Sequence, residues 1–98
     1  MAFRDEYEFD LLKNEAENMV LTELEEQLAS YPGVICRCNE CVVDMAAISL
    51  NSIKPLYRFS LLGTLYAVQT INEEDYRKGI EEAVFRAIEK VRRNPAHD

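Results

Sequence analysis

All three cysteines of this 98-residue chain fall within six positions, as Cys36-x-Cys38-x2-Cys41. A turn can fold sulfurs one and two residues apart onto a common centre, and thiolates suit zinc and related soft ions. The spacing therefore points first to a metal. A disulfide between two of the three would leave the third free, which a reducing cytosol disfavours as a resting state. Three small residues with no shared role are the plain alternative. A closed structural zinc site takes four ligands. The sole histidine, His97, supplies the fourth if the chain end folds back, and is a solvated tail residue otherwise. Asp44, a water or a group from a partner chain are further candidates. An iron–sulfur cluster faces the same shortage with less support. The array thus predicts structural zinc on Cys36, Cys38, Cys41 and His97.

A second feature lies in what is missing. After Asp44 no carboxylate appears until Glu73, and Lys54 and Arg58 are the only charged groups between them. A small anion bound there would meet no local repulsion. Arg58 adjoins Tyr57, and Arg37 sits in the cysteine loop. Arginine offers a planar fork for a phosphate or a purine edge, and tyrosine a stacking face. Arg58, Tyr57, Lys54 and Arg37 are therefore the candidate ligand residues. The competing explanation is that a buried middle segment is poor in charge.

Catalysis finds little support. The chain has no Ser/His/Asp set and no glycine-rich phosphate loop, and a site of three thiolates plus one ligand is closed to substrate. Charge excludes more. Eighteen acids against 11 bases give a net charge of −7, and residues 1–31 hold nine acids and two bases, so the whole excess sits there. Such a chain does not coat duplex nucleic acid. At 48% apolar and 30% charged it reads as a soluble globular domain. No apolar run reaches the roughly 18–20 residues of a membrane span, and the N-terminus carries no export signal, so a cytoplasmic location is expected. A single domain over residues 1–98 follows, small enough for a metal staple or a homodimer to help it.

These residues need elements to position them. Phe9 to Ala29 reads as an amphipathic helix, with Phe9, Leu12, Ala16, Met19/Val20, Leu24 and Leu28 on one stripe and its acids on a wet face. Tyr31-Pro32-Gly33 stops it. A second helix is expected from about Glu40 to Leu50, with Val43, Ala46/Ala47 and Leu50 as its stripe. Leu56–Leu61 alternates like a short strand, with Tyr57, Phe59 and Leu61 on one face. Gly63 marks a turn, and Leu65–Val68 returns as a strand or starts a helical turn. Asn72 caps a last helix whose stripe is Tyr76, Ile80, Ala83/Val84, Ala87 and Val91, with Asn94-Pro95 ending it. The expected fold class is mainly α: a small helical domain with a short extended or hairpin segment near 56–68 and a metal-stapled cysteine loop.

Read together, Asn14-x2-Glu17-x2-Val20-x3-Leu24, Cys36-x-Cys38-x2-Cys41, Asp44-x2-Ala47-x2-Leu50-Asn51, Pro55-x-Tyr57, Gly63, Tyr66 and Val91-x2-Asn94-Pro95-x-His97 resemble the late-competence ComFB family. The resemblance spans roughly residues 14–97 and is most specific from Cys36 to Tyr57. The chain departs from the family pattern at Lys54, where a second proline is common, and at Ala96, where arginine is usual. The resemblance implies a largely helical, non-catalytic protein that forms a symmetric homodimer and holds zinc through Cys36, Cys38 and Cys41. Some relatives are implicated as receptors for cyclic di-GMP in competence, motility or related signalling. A dimeric cyclic-dinucleotide receptor is thus the leading expectation. A zinc-stapled protein–protein adaptor, with a regulatory protein as partner and no small ligand, is the second. Neither duplex nucleic acid nor a membrane is expected as a partner.

Overall fold

The computed structural model describes residues 2–60, 62–63, 65, 69, 73–95 and 97. Three helices carry the fold: α2 (Glu15–Ala29), α3 (Asn39–Asn51) and α4 (Glu74–Arg93). A four-residue helix α1 (Phe3–Glu6) and a 3₁₀ turn (Phe9–Leu11) precede them. Two short strands, β1 (Lys13–Asn14) and β2 (Tyr57–Arg58), pair antiparallel with Lys13 opposite Arg58 and Asn14 opposite Tyr57. The mainly helical class is as expected, but the extended segment near 57 finds its partner more than forty residues back in the chain.

Asn14 explains both the late start of α2 and the strand pairing. Its side-chain oxygen accepts from the Ala16 amide, capping the helix, and from the Leu56 amide at 2.8 Å. An N-cap residue must leave helical geometry, so the helix begins at Glu15 and not at Phe9. Phe9 and Leu12, expected on its buried stripe, instead lie on the surface, each nearly half exposed.

Each helix buries one stripe. Ala16, Val20, Leu24 and Leu28 come from α2, and Cys41, Met45, Ala46 and Ser49 from α3. From α4 come Ile80, Ala83, Val84, Ala87, Ile88 and Val91. The α4 stripe matches its expected pattern and adds Ile88. The α3 stripe is rotated: Val43 and Ala47 face solvent, while Cys41, Met45 and Ser49 are wholly buried. In this orientation Cys41 lies both in the core and beside the other two cysteines. Buried Ser49 donates its hydroxyl to the Met45 carbonyl one turn back, so its hydroxyl is not left unpaired.

Leu56 is buried and Tyr57 and Phe59 are exposed, the reverse of the face expected for this segment. A pairing of only two residues gives the strand no sheet to bury, so one leucine anchors it. Leu61, Tyr66–Val68 and the Asn72 cap lie outside the described residues; Gly63 and Leu65 are helical, so the return at Leu65 is the helical one. Gly63 serves a close approach: a Cβ there would come within 3.3 Å of the Arg58 Cα. The last helix has Glu73 at its N-cap position, without a side-chain cap.

Polar clasps join the helices. Gln27 of α2 donates to the Glu81 carbonyl of α4. The Tyr31 hydroxyl, just past α2, donates to Glu89, which also accepts from Arg92. Those bonds, Arg92 foremost, hold the Glu89 carboxyl below its ordinary range. A depressed carboxylate stabilises the fold above its unfolded pKa and loses that contribution as pH falls through the folded value. Tyr31→Phe is therefore expected to lower the melting temperature slightly at neutral pH. The gap from wild type should close on acidification past the range where Glu89 takes up its proton. Melts followed by circular dichroism at both pH values check this; a gap that widens in acid would contradict it.

Candidate metal centre and the groove at Tyr57

The residues after α2 take no regular structure until α3 begins at Asn39. Cys38 is the N-cap of α3, and its sulfur accepts from the Cys41 amide at 3.4 Å. Capping places Cys38 and Cys41 one turn apart on the same side of the helix start. Cys36 arrives from the loop, and the chain end returns to put His97 Nε2 at 3.2 Å from Cys36 Sγ. The ligand atoms of Cys36, Cys38, Cys41 and His97 all lie within 4.8 Å of one another. Four such residues at these separations lie close enough to hold a metal ion.

Local chemistry suits a cation. The Cys36 thiol is pulled below its ordinary pKa, chiefly by the Cys38 backbone N–H, then by the Cys38 and Cys41 thiols, against burial and the nearby Glu40 charge. Thiolate is the ligating form. Glu40 lies in the first turn of α3, and its own backbone N–H is the main cause of its lowered pKa. A cation here would thus sit at a helix N-terminus, an unfavourable place offset by the thiolate charge that gathers there. Asp44, the other candidate fourth ligand, is one turn further along α3 and outside the cluster. Sequence could name His97 but could not fold it back.

The four candidate ligand residues are not brought together. Arg37 donates to the Leu28 carbonyl and so closes the C-terminal end of α2. Arg58 lies at the opposite end, ion-paired with Glu15. At 1.5 Å per residue those ends are roughly 20 Å apart. The Lys54 carbonyl accepts from the Tyr76 hydroxyl at 2.6 Å. Tyr57 and Arg58 share one feature, a groove of about 1020 Å³ whose wall also includes Lys13, Asn14, Glu17, Asn18 and Asn51. The acid-free stretch is acid-free along the chain only. In space, Glu15 and Glu17 from α2 border it. That departs from the expectation of an anion site without nearby carboxylates, and it arises because the strand pairing lays β2 across the start of α2. Asn14, Asn18 and Lys13, the polar groove residues, carried no signal in the sequence beyond the place of Asn14 in the family pattern.

A small, mainly helical protein with a Cys₃His cluster where the loop after α2 meets α3 is thereby defined. Residues 13–95 match the family model described as late competence development protein ComFB, and the chain belongs to that family. Among solved structures it is similar to the late competence protein ComFB from Bacillus subtilis, with a TM-score of 0.66 at 20% identity, covering 86% of this chain and 93% of that one. No curated protein matches. Among the described residues, no helix is long and apolar enough to cross a membrane.

Proposed function

We propose that this protein is a non-catalytic, cytoplasmic signalling protein, a homodimer that binds a cyclic dinucleotide, cyclic di-GMP foremost, and carries a structural zinc. The donor set supports the metal part: three thiolates and one imidazole match the tetrahedral Cys₃His preference of zinc. Four protein ligands leave no open position for substrate or activated water, which speaks against hydrolysis. Zinc there would join the loop, the start of α3 and the chain end.

The nucleotide part is carried by one observation: Tyr57, 57% exposed, stands beside Arg58 at the groove wall. A cyclic dinucleotide needs stacking faces for its bases, a cationic fork for phosphate and amide groups for guanine edges. Tyr57, Arg58 and the asparagines Asn14, Asn18 and Asn51 supply those types. A two-fold dimer would present the set twice to a two-fold ligand. Glu15 must release Arg58 for phosphate to bind, a modest cost for a pair this close to solvent.

Calorimetry with cyclic di-GMP on zinc-loaded protein is expected to give saturable binding at micromolar affinity or tighter, about −8 kcal/mol. Tyr57→Ala and Arg58→Ala should each weaken it by about tenfold or more, whereas Glu15→Gln, which frees Arg58, should strengthen it. Absence of heat at high protein concentration sinks the nucleotide reading. The second reading, a zinc-stapled adaptor without a small ligand, is favoured by the Glu15 carboxylate already satisfying Arg58. It predicts wild-type behaviour for Arg58→Ala in every nucleotide titration.

A further inference from the structure

Residues 3–12 precede the segment that matches the family model, and they carry an unusual surface. The rings of Phe3, Tyr7 and Phe9 gather with centroids 5.0, 5.5 and 6.0 Å apart. None is buried by this contact: Phe3 is 66% exposed and Tyr7 58%. Beside them a groove of about 600 Å³ is walled by Tyr7, Phe9, Leu11, Leu12 and Phe59. Phe59, reversed outward by the short strand, joins the patch from the other side of the sequence. Clustered aromatic side chains left in water are a marker of a docking surface, because scattered single apolar residues need no such explanation.

The rim decides the occupant. Glu6 and Glu8 line the groove itself, Asp5 and Asp10 neighbour them in the chain against the single base Arg4, and none of the four carboxylates is ion-paired among the described residues. Two copies of this chain meeting patch to patch would set these carboxylates against their counterparts, and an anionic bilayer would be repelled likewise. A cationic partner is attracted by the same charges. Its apolar anchors must fill a groove, the geometry met by a helix with one apolar and one basic face. We propose that the N-terminal aromatic segment and Phe59 form the docking surface for a basic amphipathic helix of another protein. This surface adjoins the Tyr57–Arg58 groove, with Leu12 lining both, but its argument does not depend on a nucleotide binding there.

The chain contains no tryptophan, so a peptide bearing one reports binding by its own fluorescence. The probe is a Leu/Lys amphipathic helix of about 18 residues, roughly five turns, with a single Trp on its apolar face. Titrated with the full chain, it should bind saturably and more weakly as salt rises. Phe9→Ser and Phe59→Ser, both at exposed positions, should each weaken binding by about tenfold or more while retaining the wild-type circular dichroism spectrum. A scrambled peptide of the same composition should bind at least about tenfold less tightly. Equal affinity for the scrambled peptide, or undiminished binding by both variants, overturns the proposal. So does cosedimentation with anionic vesicles in the absence of peptide binding. If either substitution instead converts a dimer to a monomer in sedimentation velocity, the surface belongs to a second copy and the proposal fails.

Discussion

Treating the zinc-loaded protein with a strong chelator is expected to lower its melting temperature by roughly 15 °C or more. Structural zinc binding is worth about 10–16 kcal/mol in zinc-finger peptides that have no other core. Here three helices already bury a shared core, so only part of that free energy should appear as added stability, on the order of 3 kcal/mol or more. For a domain of this size each kcal/mol moves the midpoint by about 4–8 °C. The physical content is the loop: residues 30–38 form no helix or strand of their own, and the metal would tie them to the start of α3 and to His97. Cys41 is a poor position for a mutational test, since it is wholly buried and belongs to the core as well. Cys36 and His97 are exposed, so Cys36→Ser and His97→Ala report on the metal with little effect on packing. Both should release zinc at lower chelator concentration than wild type. A metal-free protein melting within about a degree of the loaded one would remove the staple from the account of this fold.

Ile88→Ala should produce the next largest effect, a loss of about 2–5 kcal/mol read by urea denaturation. Ile88 is 1% exposed on α4, within the cluster that joins all three helices, and α4 packs most extensively against α3. Removing the side chain leaves a cavity that a framework of three helices can only partly close. Domains of this size retain about 5–15 kcal/mol in total, so the variant should remain folded with zinc and lose its cooperative transition once chelated. The combination separates two sources of stability that a single melt mixes. An Ile88→Ala protein as stable as wild type would mean that α4 is held by something other than its apolar stripe.

The difference between these two effects reflects how each feature is written in the chain. The α4 stripe repeats at helical spacing over twenty residues, so spacing alone assigns Ile80, Val84 and Val91 to the core. Helix periodicity is a local property, and local properties survive in sequence. For α3 the same spacing finds Ala46 and Leu50 but also puts the exposed Val43 and Ala47 inside, because its thirteen residues are apolar on most sides and hydrophobicity alone does not orient such a helix. In the packed structure Cys41 is wholly buried on the core face and stands among the clustered cysteines. The start of α2 is misplaced by spacing for a different reason. Phe9 and Leu12 continue the apolar repeat, but Asn14 caps the helix through the Ala16 amide while also accepting from the Leu56 amide, forty-two residues distant, so the helix starts at Glu15.

At the candidate sites the division is similar. The convergence of the three cysteines is legible from spacing alone, since sulfurs one and two residues apart need only a turn to meet. His97 is sixty-one residues from Cys36, and only the path of α4 returns it to the loop. The acid-free run from 45 to 72 is a true property of the chain, yet β2 pairs with the residues just before α2, and Glu15 reaches Arg58 from there. Arg37 and Arg58, alike in chemistry, are held at opposite ends of α2 by contacts that no spacing encodes. The chain by itself determined where the three main helices lie and stop, the cluster of three cysteines and the acidic first third, because each depends on neighbours within a few residues. Tertiary structure decided which face of α3 is buried, whether the histidine meets the thiols, and which charges share a surface. Those outcomes depend on contacts closed across forty to sixty residues, and their energies exist only once the helices have packed.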